Sequence, residues 1–310
     1  MRDISSFEIK AFLEETKEEM EGAFIKNFSQ ITPSRFRLEV YKEKRKFLLI
    51  NFNPKLICLT KIVEEAQTPS SEVLRIRKIL KGRRIEKVFQ EGFERKIFFL
   101  CNGLRIIVDF TPNSNIFIET NEQRIKLFRK IEKNLKKEKQ PKDKFFELFE
   151  KGVAPIYANE YLQRNEKEEI EKWFEEIIKK KEYFLFLENG KVKDYALTKI
   201  KKYENFSTRC YSSINSLLEE VYRQIIIEEK KVKEEEKEKK IEKLKSILLQ
   251  QQEKIKELKE KEENYRKIGD YIFQHLDEIN EIIQKARKGE IKIVFDGKKK
   301  KLTIETNDQK

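Results

Sequence analysis

The chain predicts an α+β fold: an antiparallel, β-sandwich-like N-terminal domain, a short-helix region with a hairpin, and a long α-helical coiled coil. Three observations carry this. Between Gly22 and Thr120 the apolar residues fall in short runs punctuated by turn formers; after Asn121 they recur at helical spacing; beyond about Ser212 they alternate by three and four for many turns.

Each element follows from its local chemistry. Ile4, Phe7, Phe12, Leu13 and Met20 form the apolar stripe of an opening helix, with Ser5 or Ser6 as its cap and Gly22 as its end. The runs FRLEV, KFLLINF, KLICLT, RIEKVF, KIFFL, LRIIVDF and NIFIET read as strands. They are bounded by turn signals such as CNG at 101–103 and TPNSN at 111–115. A helix of about ten residues interrupts them, capped by Ser70 or Ser71 after Pro69, with Val73, Ile76 and Leu80 inward and Gly82 as terminator. From Asn121 the pattern reads as helical through QRIKLFRKIEKNLKKEK; Gly152 and Pro155 then split short helices around a tight bend. A longer helix presents Ile170, Trp173, Phe174 and Ile177 on one face, and Asn189-Gly190 marks a type I′ hairpin. Ile241, Leu244, Leu248, Gln251, Ile255, Leu258, Glu262 and Tyr265 form the a/d seam of a left-handed coiled coil with Glu and Lys on its flanks. The tail reads as two strands around Asp296-Gly297. These readings divide the chain into a β-rich domain (1–122), a short-helix region with hairpin (123–211), a coiled-coil arm (212–290) and a terminal hairpin (291–310).

Composition limits the function. Lys and Arg number 69 against 56 Asp and Glu, which suits a polyanionic partner. Glu228–Glu263 contributes twelve Glu and twelve Lys, so the excess belongs to the remainder of the chain. Cys58, Cys101 and Cys210 have no metal-site or redox spacing, and a reducing cytoplasm fits them. No apolar run reaches the roughly 20 residues that span a bilayer, so no membrane partner is expected. The single histidine, His275, has no nucleophile motif beside it and reads as a surface or seam residue; neither phosphate-loop nor dinucleotide motifs occur. No catalytic residue, cofactor or metal site is therefore expected. The remaining signal is basic: Arg75, Arg77, Lys78, Lys81, Arg83 and Arg84 crowd one helix and its exit. At helical spacing Arg77, Lys81 and Arg84 would share one face, suited to phosphate contact through arginine forks or to simple solvation.

The stretch PSSEVLRIRKILKGRRIEKVFQEGFERKIFF resembles the N-terminal domain of the NFACT family, the ribosome quality-control factors of the RqcH and nuclear export mediator factor type. Ile76, Arg77, Lys78, Gly82, Gln90, Phe93, Glu94 and Arg95 stand at the places of that family's pattern. The opening DISSFEIKAFLEE is similar to the family's first helix, FEKGVAPIYANEYL to its helix-two-turn-helix segment, and LKSILLQQQEKIKELKEKEENYRKIGDYIFQHLDEINEII to the start of its coiled-coil module. The resemblance implies binding to the obstructed large ribosomal subunit and to tRNA, in support of C-terminal tailing of stalled chains. The bond-forming step would belong to the ribosome's peptidyl-transferase centre, so the chain is not expected to be an enzyme. It assigns tRNA engagement for tailing to Glu94 and Arg95; the family's aspartate is here a glutamate, one methylene longer, which alters its reach.

The resemblance also implies a returning helix and a C-terminal RNA-binding domain, which these residues lack. An expressed fragment, a gene encoding the rest as a separate chain, and self-association of the arm are the accounts of the unpaired seam; the first two are favoured. The family's N-terminal architecture resembles formamidopyrimidine-DNA glycosylases, an enzyme alternative that Arg2 weakens, because those enzymes use a proline amine at position 2 and a four-cysteine zinc finger. A coiled-coil adaptor without tailing activity is the third reading.

Overall fold

The computed structural model describes residues 2–128, 148, 152–163, 169–296 and 301–306. Helix α1 (Ser6–Met20) starts at Ser5, whose backbone N–H donates to Glu8 Oε2 at 2.9 Å and whose hydroxyl donates to the same carboxylate. Its buried face, including Phe7, Phe12, Leu13 and Met20, packs into a core shared by two antiparallel meanders. One comprises β1 (Phe24–Thr32), β2 (Arg35–Tyr41), β3 (Arg45–Phe52) and β4 (Lys55–Thr60). The other comprises β5 (Ile85–Phe89), β6 (Lys96–Cys101), β7 (Leu104–Asp109), β8 (Asn115–Thr120) and β9 (Arg124–Lys126). They are stitched where Ile85 N donates to Ala23 O and Ile25 N donates to Arg83 O, both at 2.8 Å. Phe52 meets both Phe110 and Phe128, with ring centroids 5.6 and 5.8 Å apart.

Helix α2 (Ser71–Leu80) is capped by Ser70, whose hydroxyl accepts from Val73 N–H at 3.3 Å, and it buries Val73, Ile76 and Leu80. Helices α3 (Pro155–Gln163) and α4 (Ile170–Lys180) accompany a third sheet of β10 (Tyr183–Glu188), β11 (Lys191–Ala196) and β12 (Ser207–Tyr211). Ile170, Trp173, Phe174 and Ile177 of α4 are buried together. Asn189 and Gly190 both take positive φ, 52° and 77°, as a type I′ turn requires.

Three strands escape the sequence reading. In β1 two register shifts, at Ile25/Asn27 and Gln30/Thr32, break the alternation by which a strand is recognised. Strand β9 pairs with β8 inside a stretch expected to be helical, so the second sheet runs past the boundary expected at residue 122. The rest of that expected helix, through residue 139, lies outside the described residues apart from Leu127 and Phe128. Strand β12 is exposed over most of its length and lacks an apolar face.

The long helix α5 (Ile214–Gln274) buries Ile214, Leu217, Leu218, Val221, Tyr222 and Ile225 at its root. The Asn215 amide accepts from Leu59 N at 2.7 Å and donates to Leu59 O at 2.9 Å, occupying the open edge of β4. Arg35, 1% exposed, pairs with Glu64 at 3.0 Å and Glu229 at 2.6 Å. The chain divides into two compact units, Met1–Glu229 and Lys230–Lys310, and the root of α5 belongs to the first.

In the second unit the seam is uncovered: Leu244 is 66% and Leu258 55% exposed. The helical path does not reverse directly after it. His275, the N-cap of α6 (Leu276–Arg287), continues the helical ladder, donating to Tyr271 O and accepting from Ile279 N. Strands β13 (Ile291–Asp296) and β14 (Lys301–Thr306) pair from Ile291↔Thr306 to Asp296↔Lys301; the turn between them lies outside the described residues. No described helix is long and apolar enough to cross a membrane.

Cys58 and Cys101 are buried while Cys210 is exposed. Burial pushes the Cys58 thiol well above its ordinary pKa and that of Cys101 to about 12. Iodoacetamide treatment of the native protein at neutral pH is therefore expected to label Cys210 alone by mass spectrometry, with Cys58 and Cys101 labelled only in denaturant.

Candidate functional site

The site begins with the turn after β5. Gly92 takes φ +53° and Glu94 N donates to Glu91 O at 3.0 Å, which reverses the chain. The Gln90 amide donates to Ser6 O at 3.1 Å and Glu94 O at 2.6 Å, tying the turn to the start of α1. Phe93 then packs on Phe7, with centroids 5.1 Å apart, and on Phe174. Gly152 fits against this turn: a Cβ there would lie 2.2 Å from Phe93 O, and Ser6 Oγ donates to Gly152 O at 2.5 Å.

This packing leaves Glu94 and Arg95 on a cleft of about 1470 Å³. The two adjacent charges do not pair with each other. Glu94 accepts from Lys96 at 2.6 Å and, chiefly through that hydrogen bond, raises the Lys96 pKa. Arg95 instead approaches Asp3, 3.8 Å away. Both residues precede β6, an interior strand between β5 and β7, so they mark a strand end. Asp3 is committed elsewhere, accepting from Lys55 N at 3.0 Å. Arg95 Nε and Nη2 are shielded from water and have no hydrogen-bond partner among the described residues. Buried donors are seldom left so, because the desolvation cost goes uncompensated.

Arg2, Asp194 and Tyr203, which line the cleft, belong to an ionic network. Arg2 pairs with Glu8, lies 3.2 Å from Asp194 through Nε, and donates to Tyr195 O at 2.7 Å. Its guanidinium also sits 4.6 Å from the Tyr195 ring centroid. Tyr157 donates to Glu8 and accepts from Leu197 N at 3.0 Å; Tyr203 donates to Asp194 at 2.7 Å. Burial opposes both charges of the Arg2–Glu8 pair, yet their mutual attraction and hydrogen bonds leave Arg2 well above and Glu8 below their ordinary pKa values. Five basic and five acidic side chains line the cleft, so it carries none of the chain's positive excess.

That excess shows instead around α2. Arg75, Lys78, Lys81, Arg83 and Arg84 are exposed, and none of the six basic residues expected to bind RNA lines the cleft. The common helical face expected of Arg77, Lys81 and Arg84 does not form, because α2 stops at Leu80 and Arg84 bridges to Phe24 beyond it. Arg77 is half-buried and donates to Phe28 O at 2.8 Å, while Arg83 donates to Asn102 O at 2.6 Å. Arg75 reaches Gln123 at 2.7 Å.

Arg2, Asp3, Asp194 and Tyr203 escaped the sequence reading. Two local signals point to the network: Ser5-Ser6-Phe7-Glu8 is a capping-box pattern, and Asp194 alternates with Ala196 at the buried end of β11. Their convergence from positions almost 200 residues apart leaves no trace in the pattern. Among the described residues no group of three or more His, Cys, Asp or Glu is set to hold a metal ion.

No family model and no curated protein matches the chain. Among solved structures it is similar to the N-terminal part of the fibronectin/fibrinogen-binding protein of Streptococcus suis, at 19% identity over 71% of this chain and 99% of that one, with a TM-score of 0.54. It is also similar to the fibrinogen binding protein of Staphylococcus aureus, at 17% identity over 70% of this chain and 98% of that one, with a TM-score of 0.50. At these identities the likeness is one of fold.

Proposed function

We propose that the chain is a ribosome-associated quality-control factor of the NFACT type, which binds tRNA and the obstructed large ribosomal subunit and supports tailing at the ribosome's own peptidyl-transferase centre. Within this reading the two meanders with α1 correspond to a glycosylase-like sandwich, and α3 and α4 to helix-two-turn-helix elements. The observation that carries it is Arg95, whose Nε and Nη2 make no hydrogen bond among the described residues and face a cleft beside Glu94, at the positions the family resemblance assigns to tRNA. The exposed cations about α2 supply phosphate contacts, and the cleft supplies selective ones.

Fluorescence anisotropy with labelled tRNA tests this. Affinity is expected to fall steeply with added salt, as counterion release demands. Arg95→Ala is expected to weaken binding about tenfold, within the ~1–3 kcal/mol of a selective arginine contact, whereas Arg75→Ala with Lys78→Ala lowers the salt slope instead. A second reading, adhesion, takes its cue from the fibronectin- and fibrinogen-binding proteins whose fold is similar. Saturable binding to immobilised fibrinogen or fibronectin with no tRNA binding would favour it and remove the tRNA assignment.

A further inference from the structure

The second unit carries a surface whose charges say what it binds. Residues 241–274 form one uninterrupted helix, and its a/d seam stands open, with Leu244, Leu248, Leu258 and Tyr265 66, 54, 55 and 64% exposed. With Ile241 at position a, the e and g positions from 240 to 266 are Lys240, Lys245, Ile247, Gln252, Lys254, Lys259, Lys261 and Arg266. Six are cations and none is acidic. The glutamates of the same stretch, expected on the flanks together with lysine, instead occupy b, c and f, the outer face, except Glu262, which is itself in the seam. A segment with eight cations and six glutamates therefore presents a one-signed rim around its apolar stripe.

Flanking charges set partner choice in paired helices. A parallel pair sets g against e′ and an antiparallel pair sets g against g′ and e against e′, so either arrangement of two copies opposes cation to cation. A parallel in-register pair would also set Glu262 against itself. We propose that this face docks a helix of a different sequence, with an apolar a/d seam, acidic flanking positions and a basic residue opposite Glu262, and that a second copy of this chain is excluded by charge. The proposal is independent of any reading of the cleft.

The test uses the full chain and two synthetic helices that share one leucine-rich seam with a lysine to meet Glu262, one with Glu and the other with Lys at every e and g position. Sedimentation equilibrium at 0.15 M salt is expected to show the chain alone as a monomer. The Glu-flanked helix is expected to bind at least tenfold more tightly than the Lys-flanked one, with the gap closing as salt rises. Lys245→Glu, Lys254→Glu, Lys259→Glu and Lys261→Glu together are expected to reverse that preference, and these exposed positions leave the first unit untouched. Equal affinity for the two helices, or a dimer of the unaltered chain that Leu248→Glu and Leu258→Glu abolish, overturns the proposal.

Discussion

Gly152→Ala is expected to be among the most damaging single substitutions in the chain, for two separate reasons. Gly152 holds φ at +90°, where a residue with a side chain costs about 1–3 kcal/mol. The added Cβ would also meet Phe93 O at 2.2 Å, and that atom belongs to backbone held by the Phe7 and Phe174 rings. Overpacking of this kind costs about 1–3 kcal/mol more. The sum is a large fraction of the ~5–15 kcal/mol that holds an ordinary domain. Gly103→Ala separates the two contributions, because Gly103 has φ +74° and nothing within 4 Å of its would-be Cβ. In urea denaturation Gly103→Ala is expected to show the conformational cost alone, and Gly152→Ala roughly twice as much or more. The relief available to Gly152→Ala is to push the 90–95 turn outward, so tRNA affinity is expected to fall with stability in that variant and not in Gly103→Ala. Equal destabilisation of the two would show that the turn yields freely.

Glu8→Ala is expected to cost about 3–5 kcal/mol, the price of leaving a buried charge without its partner. Glu8 is fully buried, and it collects the Arg2 guanidinium, the Tyr157 phenol and both donors of Ser5. Its loss leaves Arg2 with Asp194 alone among the carboxylates of the described residues. The same network sets an acid sensitivity. Burial works to raise the Glu8 pKa, but Arg2 and the hydrogen bonds from Arg2, Ser5 and Tyr157 outweigh it and hold the value below the ordinary 4.5. A carboxyl depressed on folding stabilises the fold above its ordinary pKa, and that stabilisation is lost as pH falls through the depressed value. Stability measured by urea denaturation is therefore expected to drop as pH falls below about 4.5, and Glu8→Gln to flatten that part of the profile while lowering stability at pH 7. An unchanged acid limb in Glu8→Gln would assign the dependence to other carboxylates.

Much of the fold was legible because it is periodic. Val73, Ile76 and Leu80 declare α2, Ile170, Trp173, Phe174 and Ile177 declare α4, and Asn189-Gly190 declares its hairpin, since each is a pattern a few residues long with a local steric or hydrophobic cause. Strands β1, β9 and β12 failed for the complementary reason. Bulges erase the alternation of β1, three residues are too short a window for β9, and exposure on both faces deprives β12 of an apolar signal.

By itself the sequence determined the α+β class, both hairpins and the apolar seam at Ile241–Tyr265, because these depend on neighbours within one or two turns. Tertiary structure alone decided what the charges near Glu94 and Arg95 do. It turned Glu94 to Lys96, left two Arg95 nitrogens without hydrogen-bond acceptors, and gathered Arg2, Glu8, Tyr157, Asp194 and Tyr203 into one network. A charge's effect depends on burial and on partners within a few ångströms. Both are set by which distant segments the shared core draws together, a relation that no local pattern encodes.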